Sequence, residues 1–129
     1  MKKAVRKGAT LVVADPRKIW LTKLARRHLQ LRPGSDVWLL NAIMHVILAE
    51  GLQDDAYIAA HCEDFESVRE VVARYTPEEA ERVTGVPAEA IRATAREYAT
   101  ERHAAIFYTL GSPSTRAAST TSGRSRTSC

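Results

Sequence analysis

The sequence predicts an α/β fold in which a small parallel sheet is interrupted by helices. Three short apolar runs support this prediction. The first covers residues 10–14 between Gly8 and Pro16, the second covers 28–31 with alternating polarity, and the third runs from Ala104 to Leu110. A continuous apolar run bounded by Gly and Pro is typical of a parallel strand that is buried on both faces. The chain between the second and third runs is helical in pattern and forms an insertion.

Length and composition indicate one domain, or a piece of a larger one. The chain has 129 residues, 45% of them hydrophobic, which is ordinary for a globular protein. No apolar run approaches the roughly 20 residues of a membrane span, and no signal sequence follows the start, so we expect a soluble, cytoplasmic protein. Cys62 and Cys129 lie far apart and outside any CxxC motif, which argues against an iron–sulfur or zinc site. The adjacent His61 and Cys62 are interpreted as an exposed helix end.

The positive charge is concentrated near the carboxyl terminus. Three of the 19 basic residues are Arg116, Arg124 and Arg126, and without them 16 basic residues face 15 acidic ones. A general nucleic-acid surface is therefore not expected, although Lys23 and Arg26-Arg27 form a local basic cluster.

Asp15 is the first candidate site residue. Pro16 forces the chain out of the preceding strand, so Asp15 is presented at the carboxyl end of that strand. This is the edge where open α/β sheets bind nucleotides, often through an acid that accepts from a ribose or a base. The alternative is that Asp15 caps a following helix at residues 18–20.

The next segments complete a βαβ unit, for which a right-handed crossover is expected. Residues 18–27 have the pattern of a short amphipathic helix, and the strand at 28–31 follows it. A helix then begins at Ser35 or Asp36, runs to about Glu50, and is apolar on nearly every side, which predicts neighbours on most sides. Asn41 and His45, one turn apart on it, are interpreted as a satisfied buried pair rather than as ligand contacts.

Further helix starts occupy the region from Asp54 to Tyr98. Asp54, Asp64 and Thr76-Pro77 are start signals, and Gly85 ends one helix before another begins at Pro87. The last two helices resemble a helix-turn-helix. The second helix opens with an acidic residue and offers only two arginines, Arg92 and Arg96. We therefore interpret the helix pair as packing within the protein rather than as binding DNA.

The segment from Ser112 to Cys129 has a different composition. It contains Ser, Thr, Arg, Pro, Ala and Gly but no Val, Ile, Leu or aromatic residue. Such a composition predicts disorder. We therefore divide the chain into an α/β part over 1–111 and a disordered tail over 112–129.

Several motifs together resemble the molybdopterin oxidoreductases, and within them most closely the α (catalytic) subunit of formate dehydrogenases. The resemblance covers about residues 1–111. Its principal pieces are Val13-Ala14-Asp15-Pro16-Arg17, Arg32-Pro33-Gly34-Ser35-Asp36 and Thr84-Gly85-Val86-Pro87-Ala88-Glu89. The resemblance implies a partial, Rossmann-like dinucleotide-binding domain for a molybdopterin guanine dinucleotide carrying molybdenum or tungsten.

The resemblance also implies site residues. Asp15 and Arg17 match family residues at the guanosine part of the cofactor, and so do Gly34, Ser35 and Asp36, with Ser35 in place of the usual Thr. Gly111 matches the family glycine that follows the third strand. A carboxylate can accept from guanine N1–H and N2–H, or from a ribose hydroxyl, and Gly34 allows close backbone approach.

The sequence departs from the family pattern in two ways. It contains neither the Cys or selenocysteine followed by His that binds the metal, nor the cluster cysteines, so no catalytic residue is assigned and the iron–sulfur cluster is expected only in parts outside this chain. The residues that follow Leu110-Gly111 also differ from the family sequence. With suitable codons, insertion of one A nucleotide after the Gly111 codon restores a family-like amino-acid sequence, and we interpret the tail as the product of a frameshift.

The implied function is that of an internal fragment of a formate dehydrogenase α subunit, which would oxidise formate to carbon dioxide in the intact enzyme. Its partners would be the rest of that subunit and electron-transfer subunits, with no nucleic acid. Two alternatives stay open at this point: a fragment of another molybdopterin oxidoreductase such as a nitrate reductase, or a non-catalytic nucleotide-binding module.

Overall fold

A computed structural model describes residues 2–108 of the chain. The domain boundary predicted at residue 111 and the tail over 112–129 lie outside these residues. The described chain contains two short strands, one 3₁₀ turn and six α-helices. In order they are α1 (Lys2–Arg6), β1 (Val12–Ala14), the 3₁₀ turn (Trp20–Lys23), β2 (Arg27–Leu29), α2 (Asp36–Ala49), α3 (Asp55–His61), α4 (Phe65–Ala73), α5 (Pro77–Thr84) and α6 (Ala88–Thr100).

The sheet has only two strands within the described residues, but it confirms the α/β class. β1 and β2 pair in parallel, with Val13 opposite His28, and within residues 2–108 they are the whole sheet. Two strands do not establish a Rossmann-like arrangement. The expectation that β1 is buried on both faces is wrong, because Val13 is buried whereas Ala14 is exposed. Alternate side chains of a strand point to opposite faces, and on the face shared by Val12 and Ala14 the Val12 side chain packs against the core whereas Ala14 is exposed.

The link between the strands contains no α-helix, so the helix predicted over 18–27 is wrong. The backbone N–H of Arg26 already donates to the carbonyl of Leu11 at 2.8 Å, which draws the end of this segment into the sheet. The remaining residues form only the 3₁₀ turn. Trp20 is 55% exposed instead of facing a core, and the Lys2 Nζ lies 4.8 Å from its ring centroid.

The predicted third strand is also wrong over its described part. Residues 104–108 have no regular structure, and Phe107 and Tyr108 are 77% and 84% exposed. A strand needs a neighbour for its backbone hydrogen bonds. None lies beside this segment in residues 2–108, while Leu110 and Gly111 fall outside them.

The helical insertion follows the predicted starts and stops. The Thr76 hydroxyl accepts from the N–H of Glu79 at 3.3 Å and the Asp54 carboxylate accepts from Tyr57 N–H at 2.9 Å, so both act as N-caps. Gly85 ends α5 with φ +78°, a left-handed conformation in which glycine is unstrained. These local signals were sufficient to place the helices.

α2 lies at the centre of the helical part and contacts α4, α5 and α6. The core joins the end of β2 and the residues just after it to these helices; its buried members are Leu29, Leu31, Leu39, Ala42, Ala80, Val86 and Ile91. The prediction that neighbours cover most sides of α2 fails on one face, where Val37, Leu40 and Met44 are between 39% and 51% exposed. None of the helices in residues 2–108 is long and apolar enough to cross a membrane.

Candidate functional site at the sheet edge

Two predicted site segments follow the two strands. Asp15 to Arg17 comes directly after β1, and Arg32 to Asp36 comes shortly after β2. Because β1 and β2 are parallel, both segments leave the sheet at its carboxyl edge. We refer to these two segments together as the sheet edge. The Asp15 N–H donates to the Leu29 carbonyl at 3.3 Å, so the first segment is tied to the end of β2.

The Asp15 side chain closes its own turn. Its Oδ1 accepts from the Arg17 backbone N–H at 2.8 Å and from the Arg17 Nε at 3.3 Å. The backbone hydrogen bond from Arg17 is the main influence that lowers the pKa of Asp15, and the Arg17 guanidinium adds to it. Asp15 therefore stays a carboxylate at neutral pH. The alternative that it caps a helix is wrong, since a 3₁₀ turn follows and that turn begins only after Ile19.

This turn is held by two side chains, one in β2 and one just after it, and neither was predicted as a functional residue from the sequence. The ring Nε2 of His28 lies 2.8 Å from the Asp15 carbonyl, and the Gln30 Nε2 donates to the Pro16 carbonyl at 3.0 Å. Residues two apart in an extended segment lie on the same side, so the polar His28 and Gln30 in an otherwise apolar run were the available signal. The backbone around Asp15 is thus fixed from the neighbouring strand.

The second segment is a tight turn that leads into α2. Gly34 has φ +81°, and no heavy atom lies within 4 Å of the position that a Cβ would take there, so its face is open. Ser35 is 5% exposed, and its hydroxyl donates to the Arg32 carbonyl at 2.6 Å. Asp36 follows as the first residue of α2 and is exposed. Ser35 thus holds the turn, while Gly34 and Asp36 face solvent.

The chemistry of the sheet edge suits a ligand with N–H and O–H donors. Asp15 is an ionised acceptor whose described hydrogen bonds all use Oδ1, and the neighbouring Arg17 side chain is 82% exposed. Guanine and ribose both offer donors to such a carboxylate. The residues present therefore fit the guanosine part of a dinucleotide. Among residues 2–108, no group of three His, Cys, Asp or Glu side chains forms a metal site, and Gly111 lies outside that range.

Concave surface occurs elsewhere, between α2 and α4. One depression of about 250 Å³ is lined by His45, Arg69 and apolar residues, and another of about 250 Å³ by Asn41, Asp64, Ser67 and apolar residues. Neither depression is lined by a predicted site residue. The Nδ1 of His45 lies 3.1 Å from the Val72 carbonyl, so its hydrogen-bond partner is the backbone of α4 rather than Asn41.

The arginines of the predicted helix-turn-helix are engaged within the chain. Arg92 forms an ion pair with Glu78, and Arg96 binds Glu50, with the Arg96 Nη2 2.8 Å from the Glu50 Oε1. These contacts join α6 to α5 and to the end of α2. The helix pair is therefore packed against the rest of the chain through these contacts.

Comparisons with known proteins agree with the resemblance. Formate dehydrogenase H of Escherichia coli (strain K12) is 47% identical over 108 residues, which cover 84% of this chain and 15% of that protein. The F420-dependent formate dehydrogenase 2 subunit alpha of Methanococcus maripaludis is 38% identical over 109 residues, 84% of this chain and 16% of that protein. Nitrate reductases also match. No family model matches the chain.

A solved structure has the same fold. Acetylene hydratase from Pelobacter acetylenicus superimposes with a TM-score of 0.81 at 34% identity, over 84% of this chain and 15% of that one. The homologues of this chain are thus formate dehydrogenase alpha subunits and other molybdopterin oxidoreductases, and the chain matches one segment of them. It spans about 15% of the length of these relatives.

Proposed function

We propose that residues 1–111 form part of the domain that binds molybdopterin guanine dinucleotide in a formate dehydrogenase alpha subunit, and that they contact its guanosine end. The supporting observation is an ionised, arginine-flanked carboxylate at the carboxyl edge of a parallel sheet, the edge at which the segment with the open glycine turn also leaves the sheet. The high identity to a formate dehydrogenase favours formate as the substrate of the intact enzyme. Nitrate reductases among the relatives make nitrate reduction the second candidate.

Each site residue has a role in this proposal. Asp15 accepts from guanine or ribose donors, Arg17 holds the Asp15 carboxylate and offers an exposed cation, and Asp36 supplies a second carboxylate. Gly34 lets the ligand approach the backbone, and Ser35 keeps the turn closed. Gly111 is proposed as a further contact from the resemblance alone.

The bound cofactor would supply the redox chemistry of formate oxidation, while this chain supplies binding and orientation. The proposal assigns the metal ligand and the iron–sulfur cluster to other parts of the intact enzyme, together with electron-transfer subunits as partners. One relative is itself named as a subunit alpha, which supports such an assembly. A cytoplasmic location and the frameshift origin of residues 112–129 stay predictions from the sequence.

The binding proposal is tested with guanosine 5′-diphosphate (GDP) and the full 129-residue chain in isothermal titration. The chain binds GDP, and Asp15→Asn weakens binding by roughly tenfold to a hundredfold, because the neutral amide has a single acceptor oxygen and a charge-assisted contact is lost. Asp54→Asn is the matched control, since the Asp54 carboxylate also accepts a backbone N–H and lies outside the sheet edge. The absence of GDP binding, or equal affinity in the wild type and Asp15→Asn, contradicts the proposal.

The proposal also predicts that this chain alone does not oxidise formate, because its sequence holds no Cys-His pair for the metal. The purified chain is assayed with formate, an artificial electron acceptor and supplied cofactor. Turnover above a control without protein contradicts the assignment of the catalytic centre to other parts of the enzyme.

A further inference from the structure

Arg32 connects the glycine turn of the sheet edge to a distant helix. Its backbone N–H donates to the Thr84 carbonyl at 2.8 Å, and its Nη1 donates to the carbonyls of Arg82 at 2.7 Å and Val83 at 3.2 Å. These are the last three carbonyls of α5. The end of a helix leaves such carbonyls unpaired and partially negative, so a guanidinium there satisfies them and opposes the helix dipole.

The other side of Arg32 holds the turn itself. Its carbonyl accepts from both the N–H and the hydroxyl of Ser35, at 3.2 and 2.6 Å. The Ser35 carbonyl in turn accepts from Leu39 N–H at 3.2 Å in the first turn of α2. One residue thus links the end of α5, the turn at Gly34 and the beginning of α2.

The end of α5 is a fixed point for this link. Thr84 is fully buried, and its hydroxyl donates to the Ala80 carbonyl at 2.7 Å and accepts from Val86 N–H at 3.0 Å. Gly85 follows in the left-handed conformation, and a Cβ at that position would lie only 3.6 Å from the Arg32 Nε. The guanidinium therefore lies next to the backbone at Gly85.

We infer that Arg32 is a positioning residue: it fixes the turn over 33–36 to the carboxyl end of α5, so that nucleotide affinity at the sheet edge depends on this contact. The inference rests on the proposed function. Within residues 2–108 no hydrogen bond joins Gly34 or Asp36 to α5 or α6, whereas Arg32 contributes three hydrogen bonds to the end of α5. Preorganisation of a binding turn raises affinity because less ordering is required on binding.

The test compares GDP affinity with stability in the full chain. Arg32→Gln weakens GDP binding by roughly threefold to thirtyfold, since it removes two charge-assisted hydrogen bonds that hold the turn. Arg96→Gln is the matched control: it breaks an ion pair between α6 and α2 that does not touch the turn. We expect it to lower the melting temperature while GDP affinity changes by less than about twofold.

Two further measurements separate positioning from general destabilisation. Arg32→Lys keeps the charge at the helix end, so its GDP affinity should lie between those of Arg32→Gln and the wild type. It replaces Arg32→Gln in the comparison if that variant folds poorly. Amide hydrogen exchange at Ser35 is faster in Arg32→Gln than in Arg96→Gln. Wild-type GDP affinity in Arg32→Gln, or an equal loss in Arg96→Gln, overturns the inference. A wild type that does not bind GDP instead overturns the proposed function, and this inference with it.

Discussion

The sheet edge and the helical part of this molecule are held together in different ways. The helical part surrounds α2 with buried apolar side chains, and residues such as Ala42 and Ile91 are completely inaccessible to solvent. The sheet edge follows strands of only three residues each, and its two segments are held by polar contacts from His28, Gln30 and Arg32. Stability therefore resides mainly in the helices, while the edge presents polar groups to solvent.

This difference explains why the concave surface and the proposed site do not coincide. The depressions between α2 and α4 are lined largely by apolar side chains, including Leu48, Val68 and Val71. The sheet edge lines neither depression, but it contains an ionised carboxylate with an exposed arginine beside it. A nucleotide needs hydrogen-bond partners for its base and ribose, so the proposed site rests on chemistry rather than on concavity.

The largest effect is expected from a cavity in the core of the helical part. Ile91→Ala should lower the free energy of unfolding by about 2–5 kcal/mol, because it removes buried methylene groups and leaves a cavity. Urea denaturation of the full chain measures this. Leu40→Ala on the exposed face of α2, where the side chain is 51% exposed, is the control and should cost far less. Equal losses in the two variants would show that α2 and α6 do not form the main core.

A smaller effect is expected at the corner between α5 and α6. Thr84→Val leaves the buried Val86 N–H without its acceptor, which should cost about 1–3 kcal/mol of unfolding free energy. Thr100→Val is matched, since the Thr100 hydroxyl likewise donates to a carbonyl four residues earlier but is exposed. It should change stability by less than about 0.5 kcal/mol. Comparable costs in urea titrations would contradict the structural role of the Thr84 hydroxyl.

The smallest effect concerns the ion pair between the sheet and α6. The Arg27 guanidinium donates to both Glu97 carboxylate oxygens, at 2.8 and 3.3 Å, and these hydrogen bonds lower the pKa of Glu97 below its ordinary value of 4.5. A lowered folded-state pKa means that the stabilisation is present above the unfolded pKa and is lost as the pH falls through the folded one.

The melting temperature should therefore fall less between pH 7 and pH 3 in Glu97→Gln than in the wild type. Glu70→Gln is the control, since Glu70 is exposed and makes no ion pair within residues 2–108. It should show the wild-type pH dependence. If Glu97→Gln also retains the full pH dependence, the Arg27–Glu97 contact does not contribute to stability.

The sequence predicted the helical part better than the sheet, for physical reasons. The start of α5 at Thr76 and its end at Gly85 are marked by local signals, and both positions were confirmed. Strand partners are not local: residues 104–108 have a strand-like composition but no neighbour in the described structure, and the helix predicted over 18–27 is absent because the Arg26 N–H donates to the distant Leu11 carbonyl. Burial of individual faces depends on packing that periodicity does not reveal, as the exposed side of α2 shows.

The site was predicted unevenly for a similar reason. Asp15 was recognised because Pro16 marks the end of a strand, and the motif around Gly34 because it resembles a known family. The structure added the partners: His28 on the Asp15 carbonyl and Arg32 on the end of α5, the latter across some 50 residues of sequence. Hydrogen bonds over such separations follow from the fold and have no signal in a single sequence.

The most direct test of the central claim is a map of GDP binding on the ¹⁵N-labelled full chain by NMR. The account predicts that the amide signals of Asp15, Arg17, Gly34 and Asp36 shift on titration, while those lining the depressions between α2 and α4 stay in place. Adenosine 5′-diphosphate should produce smaller shifts, because adenine lacks the N1–H and N2–H donors that a carboxylate accepts. Shifts centred on His45 and Val72, with none at the sheet edge, would contradict the account.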